Sequence, residues 1–459
     1  MSVPRLILAG VEAGPAVDLA AGAVLAGFGR QRAVRPVMIG LDLALWRLLY
    51  EGAGKAPRLL DPALHNASVS AELFDQWTHA MDLAVMVAAR PVLDRWEGVE
   101  GSRAVDYATR LDAPLILVVD ARDKGATAAA AVVGVRTLAR EAEIGGVIVV
   151  GADESAGGRE LLETLRRDAG LPLLGRIPPQ LSEQFVRQCT IQTSAVRTIG
   201  PKPPRDAAQR LTQEAAGYLQ LEELDAVASR RGYLPAVQRR VFARETALEP
   251  LALAVGWGPP LQPLALENVD VIQSCGVELK PLNIARDRML PAGVNGLLLC
   301  GQLDEDEIGA FAANSDLLGQ LAQAVDEGLP TMAFGGGALL LLRRLADSHG
   351  RSYDLAGVVP AEAELIEWYE RPRYVRVAAT RDNPYDEGEN VLYELFDLEY
   401  LMLEQESFAY RVHTAGNGGQ AEGFALHRCL ATTLYPSFAL SPGVADRFVQ
   451  AMRLAGTWE

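Results

Sequence analysis

A chain of 459 residues exceeds what one hydrophobic core supports, so two or three domains are expected. Apolar residues at 49% and charged residues at 22% are an ordinary globular balance, with ample material for packed cores. The formal net charge of −16 argues against a nucleic-acid or anionic-membrane surface, because phosphate backbones are held by clustered Lys and Arg.

Residues 1–195 alternate short apolar runs with helical patterns, which predicts βαβ units on a parallel sheet. Strands are expected at Arg5–Ala9, Val37–Ile39, Leu83–Val87, Pro114–Val119 and Gly146–Val150, with helices over Ala16–Phe28, Ala126–Ala142 and Gly158–Arg167. Arg197–Arg205 (RTIGPKPPR) reads as a linker, and two polar helical stretches follow it. A second α/β region begins near Leu251. From Val375 the pattern turns antiparallel, with a GNGG turn at Gly416–Gly419 and a last helix over Pro442–Leu454. The fold class expected is α/β in two domains: 1–195, a linker with helices over 196–245, and 246–459.

The opening MSVPRLILAG is too short in apolar residues for a signal segment, and no later run reaches transmembrane length without charges. Cys189, Cys275, Cys300 and Cys429 form no C-x-x-C pair, and the five histidines are scattered, so neither a metal site nor a disulfide framework is expected. A cytoplasmic protein with no membrane contact is the expectation.

LPTMAFGGGALLLL (Leu329–Leu342) predicts a strand, a tight glycine turn and a buried helix, the geometry that presents a nucleophile in many hydrolases and amidotransferases. Gly335, Gly336 and Gly337 carry none. At the first strand, LILAGVEAGPAVD has Gly10 and Gly14 where a phosphate loop would lie. No Lys occurs between Met1 and Gly54, Pro15 removes an N–H, and Asp18 would point a charge at the phosphates. Asp120 and Asp123 end the strongest strand, as ligand contacts or as caps of the next helix. Asp94 reads as a solvated loop residue. Cys300 with His349, His413 or His427 is a nucleophile candidate weighed against a plain buried thiol. EAELIEWYERPRY (Glu362–Tyr374) reads as an exposed edge, a partner-facing element or a solvated loop. Val391–Phe396 and Leu398–Leu403 are candidates for a subunit contact.

The order of these motifs resembles the cobyrinic acid a,c-diamide synthase family over nearly the whole chain. AG at Ala9–Gly10, G-x-D at Gly40–Asp42, LDP at Leu60–Pro62, DLAV at Asp82–Val85, APLILVVDAR at Ala113–Arg122, GGVI at Gly145–Ile148 and PLLG at Pro172–Gly175 are similar to its dethiobiotin-synthetase-type ATP-binding domain, of the P-loop NTPase fold. LQLEELDAVAS (Leu219–Ser229) echoes its connecting segment. PAGVNGLLLCG, AANS, GLPTMAFGGGALLL, EGFAL and LATTLYPSF are similar to its class I glutamine amidotransferase domain.

Carried over residue by residue, the resemblance places the phosphate-loop Lys-Thr on Val17 and Asp18, the loop's last glycine on Ala16, and an expected acid on Val87. It places the glutamine-cleaving cysteine on Gly335 and the terminal His-x-His on Tyr435-Pro436-Ser437. The upstream His-Glu-Phe-His falls on Tyr393–Phe396. Gly335, Tyr435 and Ser437 are then vestigial catalytic positions, and Gly10, Gly14 and Asp42 a vestigial nucleotide loop. The resemblance implies ATP and Mg in the family, and their loss is the expectation here, with no cofactor. It leads to an inactive homologue with a tetrapyrrole ligand, or one half of a homo- or hetero-oligomer with an active paralogue. The alternative is an ATP-dependent amidoligase that receives ammonia, or glutamine nitrogen from elsewhere.

Overall fold

The computed structural model describes residues 3–96, 99–189, 205–230, 234, 237–242, 250–402, 407–414 and 417–458. The chain divides into two compact units, one comprising 1–195 with 199–238 and the other 196–198 with 239–459. Among the described residues no helix is long and apolar enough to cross a membrane.

The first unit is built on β1 (Arg5–Gly10), α1 (Pro15–Gly29), β2 (Val34–Ile39), α2 (Leu43–Ala53), β3 (Arg58–Leu60), α3 (Ala67–Thr78), β4 (Leu83–Ala88), α4 (Ala104–Arg110), β5 (Leu115–Asp120), α5 (Ala126–Leu138), β6 (Ile144–Val150), α6 (Ala156–Thr164), β7 (Leu173–Ile177), α7 (Pro179–Cys189), α8 (Arg205–Ala216) and α9 (Leu221–Ala228). Its seven strands run in the order β3-β2-β4-β1-β5-β6-β7, and every pairing is parallel. β1 and β4 are buried along their full length, as strands covered by helices on both faces must be. Side chains of Asp42, Asn66 and Ser155 accept backbone N–H groups at the starts of α2, α3 and α6, which sets those helix boundaries.

α8 and α9, expected in a separate linker segment, pack on this unit. A Cβ added at Gly22 of α1 would lie 2.4 Å from Thr212 Cγ2 of α8, and one at Gly27 2.8 Å from Leu221 at the start of α9. Arg32 closes the contact with a two-point pairing to Asp225. Most of the proline-rich stretch Arg197–Arg205 lies outside the described residues.

The second unit continues with β8 (Leu251–Trp257), β9 (Leu261–Gln262), α10 (Leu266–Ser274), β10 (Val277–Asn283), β11 (Gly296–Leu303), α11 (Ile308–Ala312), α12 (Ser315–Asp326), β12 (Thr331–Gly335), α13 (Gly336–Leu339), β13 (Leu342–Ala346), β14 (Ser352–Asp354), β15 (Val359–Ala379), β16 (Glu389–Met402), β17 (Phe408–Thr414), β18 (Asn417–Leu426), β19 (Cys429–Thr432) and α14 (Pro442–Ala455). The sheet order is β10-β8-β11-β12-β19-β18-β17-β15-β13-β14, with β16 on β15 and β9 on β11. β10, β8, β11, β12 and β19 pair in parallel, and β18, β17 and β16 pair antiparallel.

Three expectations are corrected here. The glycine turn leads into only one turn of helix, α13, after which Leu342 opens a strand. Glu362–Tyr374 is neither edge nor loop but the middle of β15, with Trp368 and Tyr369 buried. On β16, Leu392, Tyr393, Leu395 and Phe396 are also buried, so Val391–Phe396 is core; Leu401, 61% exposed, remains at the surface. Leu403 and Gly416, at the ends of two predicted features, lie outside the described residues, and Asn417–Gly419 belongs to β18.

Candidate functional site

At the end of β12 the chain makes the sharp strand-to-helix turn that its glycines predict. Gly335 has φ 55° and ψ −123°, a backbone conformation costly for any residue with a Cβ. The space beside it is filled. A Cβ at Gly335 would lie 1.9 Å from Tyr435 Cζ and 2.1 Å from the Tyr435 hydroxyl oxygen. That hydroxyl donates to Gly301 O at 2.9 Å and accepts the Gly336 N–H at 3.3 Å. Burial pushes the Tyr435 phenol well above its usual range, so it stays protonated.

Several contacts hold Tyr435 in place. Its ring stacks on Tyr393 with centroids 5.0 Å apart and planes 9° from parallel. The two residues also exchange backbone hydrogen bonds, Tyr435 N–H to Tyr393 O at 2.8 Å and the reverse at 3.2 Å. Glu422 accepts from Thr432 Oγ1, Thr433 N and Thr433 Oγ1, which fixes the turn leading to Tyr435. On its far side, Asn268 of α10 donates to Pro436 O and accepts from Phe438 N, with buried Ser437 between them. The resemblance assigns Gly335 and Tyr435 to the cysteine and a histidine of one glutamine-cleaving site. The fold brings them into one space, one excluding the other's side chain.

Cys300 is buried and directed at Leu264 O, 3.7 Å away. Burial, with Glu267 adding to it, pushes its thiol up to about 12, the opposite of what a nucleophilic thiolate requires. Of its candidate partners, His413 is 3.9 Å from Glu389 and His427 sits in the β18–β19 turn. His349 joins Glu305 and Asp347, whose ligand atoms lie within 4.8 Å of one another. Asp347 accepts from His349 N, Arg351 N, Arg351 Nε and Tyr353 OH, and Glu305 from Ser348 and Trp368. These carboxylates stitch the β13–β14 turn to its neighbours, and the Arg351 guanidinium already supplies the cation.

In the first unit, Gly10 ends β1 where the backbone doubles back: a Cβ there would lie 2.2 Å from Glu12 O. Gly14 caps α1 with no side-chain bond, and Pro15 follows at its first turn. Burial, then the charge of Asp42, pushes the Asp18 carboxyl up to about 8, although part of the side chain still touches solvent. Asp42 itself caps α2. Val87 lies inside β4 opposite Leu8. One cation missed from the sequence does reach the loop: Lys124, beyond β5, pairs with Glu12. Only contact over a separation of 112 residues could have signalled it.

Asp120 grips Arg122 through both oxygens, and Gly125 rather than Asp120 or Asp123 begins α5. Together with Lys124, Asp153 and Glu183 they line a cleft of about 650 Å³ at the carboxyl ends of β5 and β6. Asp94 is exposed, as expected.

The two units thus define an α/β protein, one unit built on an all-parallel seven-stranded sheet and the other carrying a strand–glycine–helix elbow. No protein-family model matches the chain. It does resemble the cobyrinic acid a,c-diamide synthase family over nearly its full length. Similarity to a Dehalococcoides mccartyi cobyrinate a,c-diamide synthase is 23% identity, covering 98% of each chain. To a Mycobacterium tuberculosis hydrogenobyrinate a,c-diamide synthase it is 26%, covering 91% of this chain and 90% of the relative. Among solved structures, PurLQS from Thermotoga maritima covers 45% of this chain and 99% of its own at 14% identity, with a TM-score of 0.34. The Aquifex aeolicus MinC:MinD complex covers 51% of this chain and 100% of its own at 12% identity, with a TM-score of 0.32.

Proposed function

We propose that this chain is a catalytically inactive homologue of the diamide synthases, kept as a binding or partner protein in tetrapyrrole metabolism. The observation that carries this reading is the Tyr435 ring standing where a side chain at 335 would project. Glycine cannot form a glutamyl thioester, and the Gly336 N–H that would stabilise an oxyanion beside such a nucleophile is bonded to the Tyr435 hydroxyl. The β1–α1 loop supports the same reading. Ala16, Val17 and Asp18 offer neither lysine nor hydroxyl, and Pro15 offers no N–H, so these residues do not fit a magnesium nucleotide. The ligand class is a tetrapyrrole carboxylate, and the partner an active paralogue in a hetero-oligomer or a second copy.

The test is a glutaminase assay with ATP-binding calorimetry on the full chain. No turnover and no micromolar ATP binding are expected, and either one would sink the proposal.

A second reading is an amidoligase that takes ammonia and ATP, with Lys124 lending the loop its missing cation. It requires ATP- and ammonia-dependent replacement of a carboxyl –OH by –NH₂ on a carboxylated corrin, read as the loss of a negative charge and a slight fall in mass, and abolished by Lys124→Ala.

A further inference from the structure

A cavity of about 560 Å³ opens beside Leu329, at the amino end of β12 and therefore at the opposite end of that strand from the glycine elbow. Two helices finish on it, α12 at Asp326 just before Glu327 and α14 at Ala455. The aligned peptide dipoles leave partial negative charge at each of those ends, and the Glu327 carboxylate adds a full one. The two-residue turn between β18 and β19 also lines the cavity, since Leu426 pairs with Cys429 and leaves His427 and Arg428 at the tip. His427 has φ 52° there, at a turn position that glycine, asparagine or aspartate usually fills. Buried Leu329 and half-buried Trp458 supply the apolar lining. Backbone bonds hold Trp458 in place, from its N–H to Val294 O at 2.8 Å and from Gly293 N–H to its carbonyl at 3.1 Å.

The charges of this cavity do not cancel one another. Among the described residues the Arg428 guanidinium takes part in no hydrogen bond or ion pair, although Glu327 lines the same space. Glu327 accepts from Gln323 Nε2 at 2.8 Å, one helical turn back. Both charged side chains are exposed, so a ligand reaches them from solvent. A simple anion would meet Glu327 and two negative helix ends, and a simple cation would meet Arg428. A zwitterion satisfies both. We propose that this cavity binds a free α-amino acid with an apolar side chain. Its carboxylate takes the two-point bonds that a guanidinium offers, with His427 beside it. Its ammonium donates to Glu327 and lies against the two helix ends, and its side chain covers Leu329 and Trp458. This does not rest on the function proposed above, because it involves neither the elbow nor the β1–α1 loop.

L-Phenylalanine is the probe, titrated by calorimetry into the full chain at concentrations up to about 10 mM. L-Phenylalaninamide, which lacks the carboxylate, and N-acetyl-L-phenylalanine, which lacks the ammonium, are titrated alongside it. Saturable binding of the free amino acid is expected, with each derivative at least about tenfold weaker. Arg428→Gln and Glu327→Gln are each expected to weaken L-phenylalanine binding at least about tenfold. Both positions are exposed, so the fold tolerates either change. No saturable heat from L-phenylalanine in the unmodified protein would overturn the proposal. Equal affinity for either derivative, or binding that survives in both variants, would overturn it as well.

Discussion

Tyr435 and Gly335 compete for one volume, and their coupling is measurable. Placing a thiol at 335 requires a Cβ 1.9 Å from Tyr435 Cζ, on a backbone with φ 55°. Gly335→Cys is expected to cost about 2–4 kcal/mol in urea unfolding, from overpacking and backbone strain together. Combined with Tyr435→Ala the clash disappears, so the cost of the same cysteine falls by at least about 1 kcal/mol. Additive costs in that double-mutant cycle would show that Tyr435 does not fill the position. Asp18 makes a pH-dependent prediction. Its folded-state carboxyl is raised to about 8, so the folded chain holds a proton that the unfolded chain releases near 4. Its contribution is therefore complete below about pH 4 and is lost as pH rises through about 8. Asp18→Asn is expected to stabilise the protein by roughly 1–2 kcal/mol more at pH 8.5 than at pH 5, and an equal effect at both would refute the assignment.

Among the elements, α1 shows how a helix dense in glycine and alanine serves packing rather than propensity. Gly22 lets α8 approach until Thr212 Cγ2 would meet an added Cβ at 2.4 Å. Gly22→Ala raises helix propensity by roughly 1 kcal/mol, yet net destabilisation is expected because Thr212 must move. Thr212→Ala should turn that loss into a gain, and melts of the two singles and the double decide it. The predicted strands β1, β4, β5 and β6 were legible because continuous apolar runs between glycine turns have few other solutions. β15 was not, because alternating Glu, Trp and Tyr suit a solvated edge as well as a strand packed on both sides. The helix after the elbow was overcalled for a related reason: GALLLL is apolar at every position and carries no period.

For the whole molecule, a net charge of −16 adds self-repulsion to every folded contact. Raising NaCl from 10 to 300 mM should therefore raise the melting temperature by a few degrees as the Debye length falls from about 30 Å to below 8 Å. A flat or falling response would mean that local ion pairs, such as those of Arg103, Arg122 and Arg351, outweigh the general repulsion.

The sequence by itself determined the α/β class, the glycine elbow and the absence of any thiol on it, since these depend on local residue type and hydrophobic order. Only the tertiary structure decided what stands in that elbow. Tyr435 lies 100 residues downstream of Gly335, and its ring reaches there because β12 and β19 pair in parallel and end together. Lys124 reaching Glu12 and the burial of Cys300 are likewise properties of strand register. No spacing along the chain encodes them, because they arise when distant strands are brought side by side.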